Sequence, residues 1–525
     1  MSSTWNVQIG LADIASMAGV TPSAVSNWRK RYDDFPLAQA DATVGFLFDF
    51  NEVQEWLLEK GKIEVPVPAA MLLWQFVDSL RGWWTPDQST DFVVSALVYL
   101  EACDLAVNPS SGITIAQSNQ WSSLKAAGDD ELSAALESAA DSIERENELL
   151  RGLVLRGFVQ PPMPPGQSLR RILDALESSS REEHSLVPSF EDALARRGRM
   201  DRFAGERSTP DDLSYLIANL IPDDAVSVFD PAVGVGGLLL LAAQVAQQSD
   251  RSLKVTGYET NEATLREARS RFFIYGEPLE WKHTDSLRDP SIDSIGADAV
   301  VLDAPMGMKA WGDAELYLDP RWKFGAPPAN NADFAWLQIA LRALHEGGTA
   351  IVVLSRSSLF SSGKQRMIRE TMLRQGVIEA IIALPAKLRR ETSAQMALWI
   401  VRASGGRLQP DSPVLFVDAT NLGTRGKVET TLEEEDVRAI ASIVRKWRLT
   451  REAARNGRVP TRSLRASEIV NADLWQPFVK AEYLSRPSRE ELMAAAASLR
   501  IQVGEALTAS LASTERLMER IGRTQ

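Results

Sequence analysis

The sequence predicts an α/β protein built on a mostly parallel sheet covered by helices, with helical additions at both ends. Three observations predict it. Short β-rich runs recur at 225–230, 253–259, 280–285, 298–303, 349–355, 377–384 and 397–401. Helix-period patterns separate most of them, for example at 263–275, 333–344 and 364–375. Several runs are continuously apolar, as strands buried on both faces are. Strands and helices that alternate in this way form parallel sheets, whose ligands sit outside the carboxyl ends of the strands.

The 525 residues leave room for two to four domains at roughly 100–200 residues each. Four regions are expected: 1–66, a small helical reader; 67–200, helical; 201–405, the alternating region; and 406–525, mixed and then one long helix. With 45% hydrophobic and 24% charged residues, the composition is that of a folded soluble protein. No window approaches the ~18 apolar residues of a membrane helix, so no membrane partner and a cytoplasmic location are expected. The single cysteine, Cys103, excludes a disulfide framework, and three histidines leave little for a metal centre, so no metal is expected. A net charge of −13 opposes indiscriminate coating of nucleic acid without excluding a local basic surface.

In the first region, Ile14, Ala15 and Ala18 mark a short helix, Gly19 a turn, and Thr21-Pro22 the start of a second helix. Val25 and Trp28 face inward, which leaves Ser23, Ser26, Asn27, Arg29 and Lys30 outward. That is a helix-turn-helix, whose second helix reads double-stranded DNA in the major groove. A strand near 46–50 and a helix at 51–59 add a wing, similar to excisionase-like and MerR-like readers. The alternative is a protein–protein module.

The strand ends of the third region carry the chemistry. The first is followed by Asp230-Pro231-Ala232-Val233-Gly234-Val235-Gly236-Gly237, where glycines permit a tight turn close to a ligand. The second ends at Glu259, one βα unit later, where a carboxylate can take both hydroxyls of a ribose. The third ends at Asp285. A helix cap or a solvated strand end is the other reading of both acids. The fourth run ends Asp303-Ala304-Pro305-Met306.

The Asp-Pro-x-x-Gly-x-Gly-Gly pattern resembles the S-adenosylmethionine loop of class I amino-methylating DNA methyltransferases. From 201 to about 480 the chain resembles an adenine-N6 DNA methyltransferase of the type I restriction modification-subunit kind, and in particular actinobacterial methylase-like proteins with an N-terminal helix-turn-helix. The resemblance rests on Ser208-Thr209-Pro210, the glycine loop, Glu259 and Asp285, on Trp311-Gly312 and Asp319 to Pro328, on Ala332-Asp333-Phe334-Ala335-Trp336, and on Ile378 to Pro385. It implies a Rossmann-like sheet of seven strands. It also implies S-adenosylmethionine held by Thr209, Pro210, Asp230, Pro231, Gly234, Gly236, Glu259 and Asp285, and a flipped adenine addressed by Asp303, Ala304, Pro305 and Met306. The family motif is Asn/Asp-Pro-Pro-aromatic. Here Ala304 replaces the first proline and Met306 the aromatic, whose stacking on a base is worth about 1–3 kcal/mol. Two functions therefore compete: an adenine methyltransferase of a restriction-modification or defence system, and a catalytically silent DNA-binding subunit or regulator. Methylation of protein or RNA is a third, which the helix-turn-helix opposes. Trp311 offers a substitute stacking face, though a core tryptophan is the plainer reading.

Two basic clusters remain. Residues 438–465 hold nine basic residues against one acid, read either as a phosphate track or as a solvated face. Lys387, Arg389 and Arg390 follow a strand at the functional edge and are expected to line a DNA groove. Over 488–522 a leucine-rich stripe predicts a long helix. The family resemblance makes it a dock for a specificity or restriction partner, with packing within this chain or a homodimer as the alternatives.

Overall fold

In the computed structural model the described residues are 8–41, 45–67, 69–200, 209–389, 395–403, 410–426, 429–453 and 458–479. They fall in two units, Met1–Ala472 and Asp473–Gln525. The C-terminal helix expected over 488–522, Ser208 and Arg390 lie outside the described residues. In the second unit the described part is short: the Asp473 carboxylate accepts from the Trp475 and Gln476 amides (2.9 and 3.1 Å) and starts a 3₁₀ turn at Gln476–Phe478.

The first unit opens with strand β1 (Gln8–Gly10) and helix Leu11–Met17. The Thr21 hydroxyl then accepts from the Ala24 amide and begins helix Pro22–Arg31, with Pro22 where its missing N–H costs nothing. Strands β2 (Gln39–Asp41) and β3 (Gly45–Asp49) form the wing, in an antiparallel sheet of order β1-β3-β2. Asp49 caps helix Phe50–Glu59 through the Asn51 and Glu52 amides.

Five main helices follow: Ala69–Asp78, Pro86–Leu105, Asp129–Glu146, Gly166–Glu183 and Val187–Met200. Pro86–Leu105 is apolar over most of its circumference and is buried accordingly. One hydrophobic core joins these helices, the winged unit, and Phe273 and Ile274 from the sheet-bearing region. Buried charge crosses the same boundary. Arg197 and Arg266 share Asp91 (2.6 and 3.1 Å), and Arg197 also pairs with Glu267.

The large sheet comprises β4 (Ser227–Asp230), β5 (Lys254–Glu259), β6 (Glu280–His283), β7 (Ala297–Leu302), β8 (Leu344–Ser355), β9 (Ile378–Ala383), β10 (Met396–Arg402), β11 (Pro413–Asp418) and β14 (Thr461–Arg465). A small hairpin, β12 (Thr424–Arg425) and β13 (Thr430–Thr431), stands apart. The order is β6-β5-β4-β7-β8-β10-β9-β11-β14, in which β10 and β14 run against the rest. The first seven are the expected seven-stranded sheet. β11 and β14 widen it to nine among the described residues. The chain leaves β4 toward β5 on one side and returns through β7 on the other, so β4 and β7 flank the switch point at which such sheets bind ligands.

Candidate active site

At that switch point lies a cavity of about 480 Å³, within the usual range of small-molecule sites. The glycine loop forms its floor. Gly234 (φ 57°) and Gly236 (φ 82°) take left-handed conformations, and Gly236 caps helix Gly237–Gln247. A Cβ at Gly236 would lie 3.1 Å from the Ala268 Cβ, so the close approach of helix Glu262–Ile274 needs glycine as well. Three contacts hold the loop. The Val233 amide donates to the Tyr258 carbonyl (2.9 Å), the Ser286 hydroxyl to the Pro231 carbonyl (2.6 Å), and Arg271 to the Val235 carbonyl (2.7 Å) while pairing with Glu191.

Thr209, Asp230, Pro231, Gly234, Glu259, Asp285, Asp303 and Pro305 all line this cavity. Pro210 does not line it: its carbonyl accepts from the Ser214 amide and starts helix Asp211–Leu220. Asp230 is buried and accepts from the Ala232 amide (2.8 Å). Burial pushes its carboxyl well above the usual range; the Ala232 amide opposes this, and the charges of Asp303 and Glu259 add to it. Glu259 is pre-oriented, accepting from Gly234 on Oε2 (3.1 Å) and from Thr260 and Asn261 on Oε1 (both 2.9 Å). Asp285 accepts from the Leu287 amide (3.0 Å).

Asp303 differs from the expectation in its surroundings. Its side chain is only 3% exposed and is ion-paired with Arg389, itself 8% exposed. The pair engages Oδ2, while Oδ1 is buried without a hydrogen bond. Burial raises the Asp303 carboxyl, and Arg389 and the nearby Thr209 hydroxyl oppose the rise. Arg389 thus points inward, where the sequence placed it on an open groove; Lys387 beside it is exposed. Ala304 is buried. Met306 packs against the hydrophobic core, and Met308 lines the cavity.

Two tryptophans complete the wall. Trp311 is both core and lining: its indole N–H donates to the Pro328 carbonyl (3.0 Å), and it packs edge-on against Tyr317 and Trp322. Trp336 lines the cavity from helix Asp333–Arg342 and went unnoticed in the sequence as a site residue. So did the role of Asp333. Its carboxylate, 1% exposed, accepts from the Gly307 amide and from the Ser355 hydroxyl (both 2.9 Å) and so anchors the loop after Asp303 to the end of β8. Its only signal was its place in the Ala332 to Trp336 block. Among the described residues no group of acids, histidines or cysteines is arranged to hold a metal ion.

On the winged unit, Ser23, Asn27 and Lys30 are exposed and Ser26 and Arg29 half-buried. Arg29 stacks over the wing residue Phe46 (3.6 Å). The basic run at 438–465 is largely neutralised within the fold: Arg438 pairs with Glu434, Arg445 with Asp223, Arg448 and Arg451 with Glu379, and Arg458 with Glu435 and Asp436. This favours the solvated-face reading over a phosphate track.

Comparison with known proteins agrees with this geometry. The N-6 DNA methylase family matches residues 193–473, more than half of the chain. The methylase subunit of the type I restriction enzyme HindI from Haemophilus influenzae is 26% identical over 337 residues, covering 59% of this chain and 74% of that protein. The MjaVIII methylase subunit from Methanocaldococcus jannaschii is 28% identical over 263 residues, 46% of this chain and 45% of that one. The chain thus spans about half the length of the second relative. Among solved structures, the type I restriction-modification methyltransferase subunit from Streptococcus thermophilus superposes with a TM-score of 0.64 at 20% identity, covering 78% of this chain and 98% of that one, a likeness of fold. With its glycine loop, its acidic strand ends and its sheet order, the chain belongs to the N-6 DNA methylase family.

Proposed function

We propose that this chain is the methyl-transferring subunit of a type I restriction-modification system and acts on the N6 amine of adenine in DNA. The observation that carries the reading is the convergence of the glycine loop, Glu259, Asp285 and Asp303 on one cavity at the sheet's switch point. The donor set suits S-adenosylmethionine: four carboxylates (Asp230, Glu259, Asp285 and Asp303) surround a site for a cationic ligand, with Glu259 at the ribose position. When bound, that cofactor supplies a sulfonium methyl group. The chain's own part is to place the amine. An adenine amine is a poor nucleophile because its lone pair is delocalised into the ring. Asp303 Oδ1 and the Ala304 carbonyl accept its two hydrogens, which localises the lone pair, and positioning supplies much of the rate. Trp311 gives the base a flat, fixed face in place of the missing aromatic at 306. The methylase subunits among the relatives favour this reading over the silent regulator.

Around this core, region 1–66 reads duplex DNA through Ser23, Ser26, Asn27, Arg29 and Lys30, and region 67–200 buttresses the cofactor loop through Glu191. The part after 405 docks a specificity or restriction subunit. The work takes place in the cytoplasm; among the described residues no helix is long and apolar enough to cross a membrane. Calorimetric titration with S-adenosylmethionine, followed by tritiated methyl transfer to unmethylated duplex DNA, tests the proposal. Binding with transfer that Asp303→Ala abolishes is expected. Transfer undiminished in Asp303→Ala would refute the assignment, and absence of cofactor binding with and without DNA would end it.

A further inference from the structure

We propose that Arg389 is a positioning residue of the methyl-transfer site: it occupies Oδ2 of Asp303 and leaves Oδ1 as the acceptor for the target amine. The inference rests on the function proposed above. Its basis is geometric. Asp303 directly follows β7, and Arg389 lies 86 residues later, beyond β9, yet the two side chains meet in a place closed to solvent. Oδ1 belongs to a cavity-lining residue and has no hydrogen-bond donor.

The surroundings explain why the pair matters. Asp303 is faced by the buried Asp230 carboxylate from β4, by the Thr209 hydroxyl and by Arg389; Glu259 crowds Asp230 in turn. Among these described neighbours the only cation is Arg389. A buried carboxylate beside like charges takes up a proton unless a counter-charge holds it ionised. A protonated Asp303 would turn an O–H toward an amine that itself needs acceptors. Ion pairing with Arg389 therefore preserves the acceptor and fixes the carboxylate plane at once. An asparagine at 303 would accept without any counter-charge, so a neutral motif has no use for Arg389.

This role differs from the exposed phosphate contact expected of the Lys387–Arg390 cluster, and the two make different predictions. A phosphate contact sets affinity for DNA and the salt slope. A positioning residue sets the rate and its dependence on pH.

The test uses the full chain, purified with whatever subunits accompany it, and tritiated methyl transfer to unmethylated duplex DNA between pH 5.5 and 9, at several salt concentrations. Wild type, R389M, R389K, D303N and D303N/R389M are compared. Expected in R389M is a fall in kcat at neutral pH, with the acid limb moved up by about 1–3 pH units and the salt slope unchanged. R389K moves the limb back. D303N/R389M transfers as well as D303N alone and shows no such limb. The inference is overturned if R389M keeps the wild-type pH profile, if it changes only KM and the salt slope, or if removing Arg389 costs D303N as much as it costs the wild type. Cofactor bound by a wild type that transfers nothing at any pH refutes the function itself, and the inference with it.

Discussion

Replacing Asp333 by alanine isolates how the loop after Asp303 is held. The Asp333 carboxylate is 1% exposed and takes two hydrogen bonds, from the Gly307 amide and the Ser355 hydroxyl, each 2.9 Å. A hydrogen bond to a charged group contributes about 1.5–3 kcal/mol. At 1.36 kcal/mol per factor of ten, loss of the Gly307 bond should raise local opening of the loop about ten- to a hundredfold. Hydrogen exchange read by mass spectrometry on a peptide spanning 303–312 measures this directly, where a whole-molecule melting curve of a multidomain chain would dilute it. Methyl transfer should fall by about a hundredfold, the cost of an ångström of misplacement. Asp333→Asn keeps an acceptor for Gly307 and can donate to the Ser355 oxygen, so its exchange should stay within a few-fold of wild type. Unchanged exchange in Asp333→Ala, or equal loss in both variants, would refute the assigned role.

Three further outcomes are expected. Gly236→Ala places a Cβ at φ 82° and 3.1 Å from Ala268, so titration calorimetry should show cofactor affinity reduced by about tenfold or more; wild-type affinity would contradict the cradle. Asp230 has its pKa raised in the fold, so the cost of its charge is present at neutral pH and fades as pH falls. Asp230→Asn should therefore raise the cofactor-free melting temperature at pH 7, a gain that shrinks on acidification, and should weaken binding of the cationic cofactor. Lys30→Ala should lessen the salt dependence of DNA binding by about one unit of slope without touching cofactor affinity, as filter binding at graded salt would show.

The sheet was legible because most strands of its first seven are compact apolar runs separated by helical patterns; β6, Glu-Trp-Lys-His, is legible from its place in that alternation instead. Six residues of β9, for example, are all buried. Of the two added strands, β11 carries such a run, Val-Leu-Phe-Val, but β14 does not. β14, Thr-Arg-Ser-Leu-Arg, is half solvated and has no apolar pattern of its own; its pairing with β11 defines it. In the site, Glu259 and Asp285 announce themselves by standing at or just after the ends of their strands, as local signals do. The fates of Asp303 and Asp333 depend on partners 86 and 26 residues away, and nothing local to either encodes that partner. The basic run stayed open between two readings for the same reason: charge density is visible in sequence, but its neutralisation by Glu379 and Asp223 is not.

An open sheet offers its outermost backbone groups to any passing strand, and among the described residues this sheet has two such borders, β6 and β14. Both are guarded. β6 reads Glu-Trp-Lys-His, and Glu280 is exposed beside Lys254. β14 sets exposed Arg462 and Arg465 along the other border. Charged side chains along both borders disfavour strand addition, because pairing with another edge would desolvate them, which is how natural sheets resist uncontrolled growth into fibrils. Any partner of this chain is thereby steered away from strand addition and toward side-chain surfaces, where shape and charge can be chosen partner by partner.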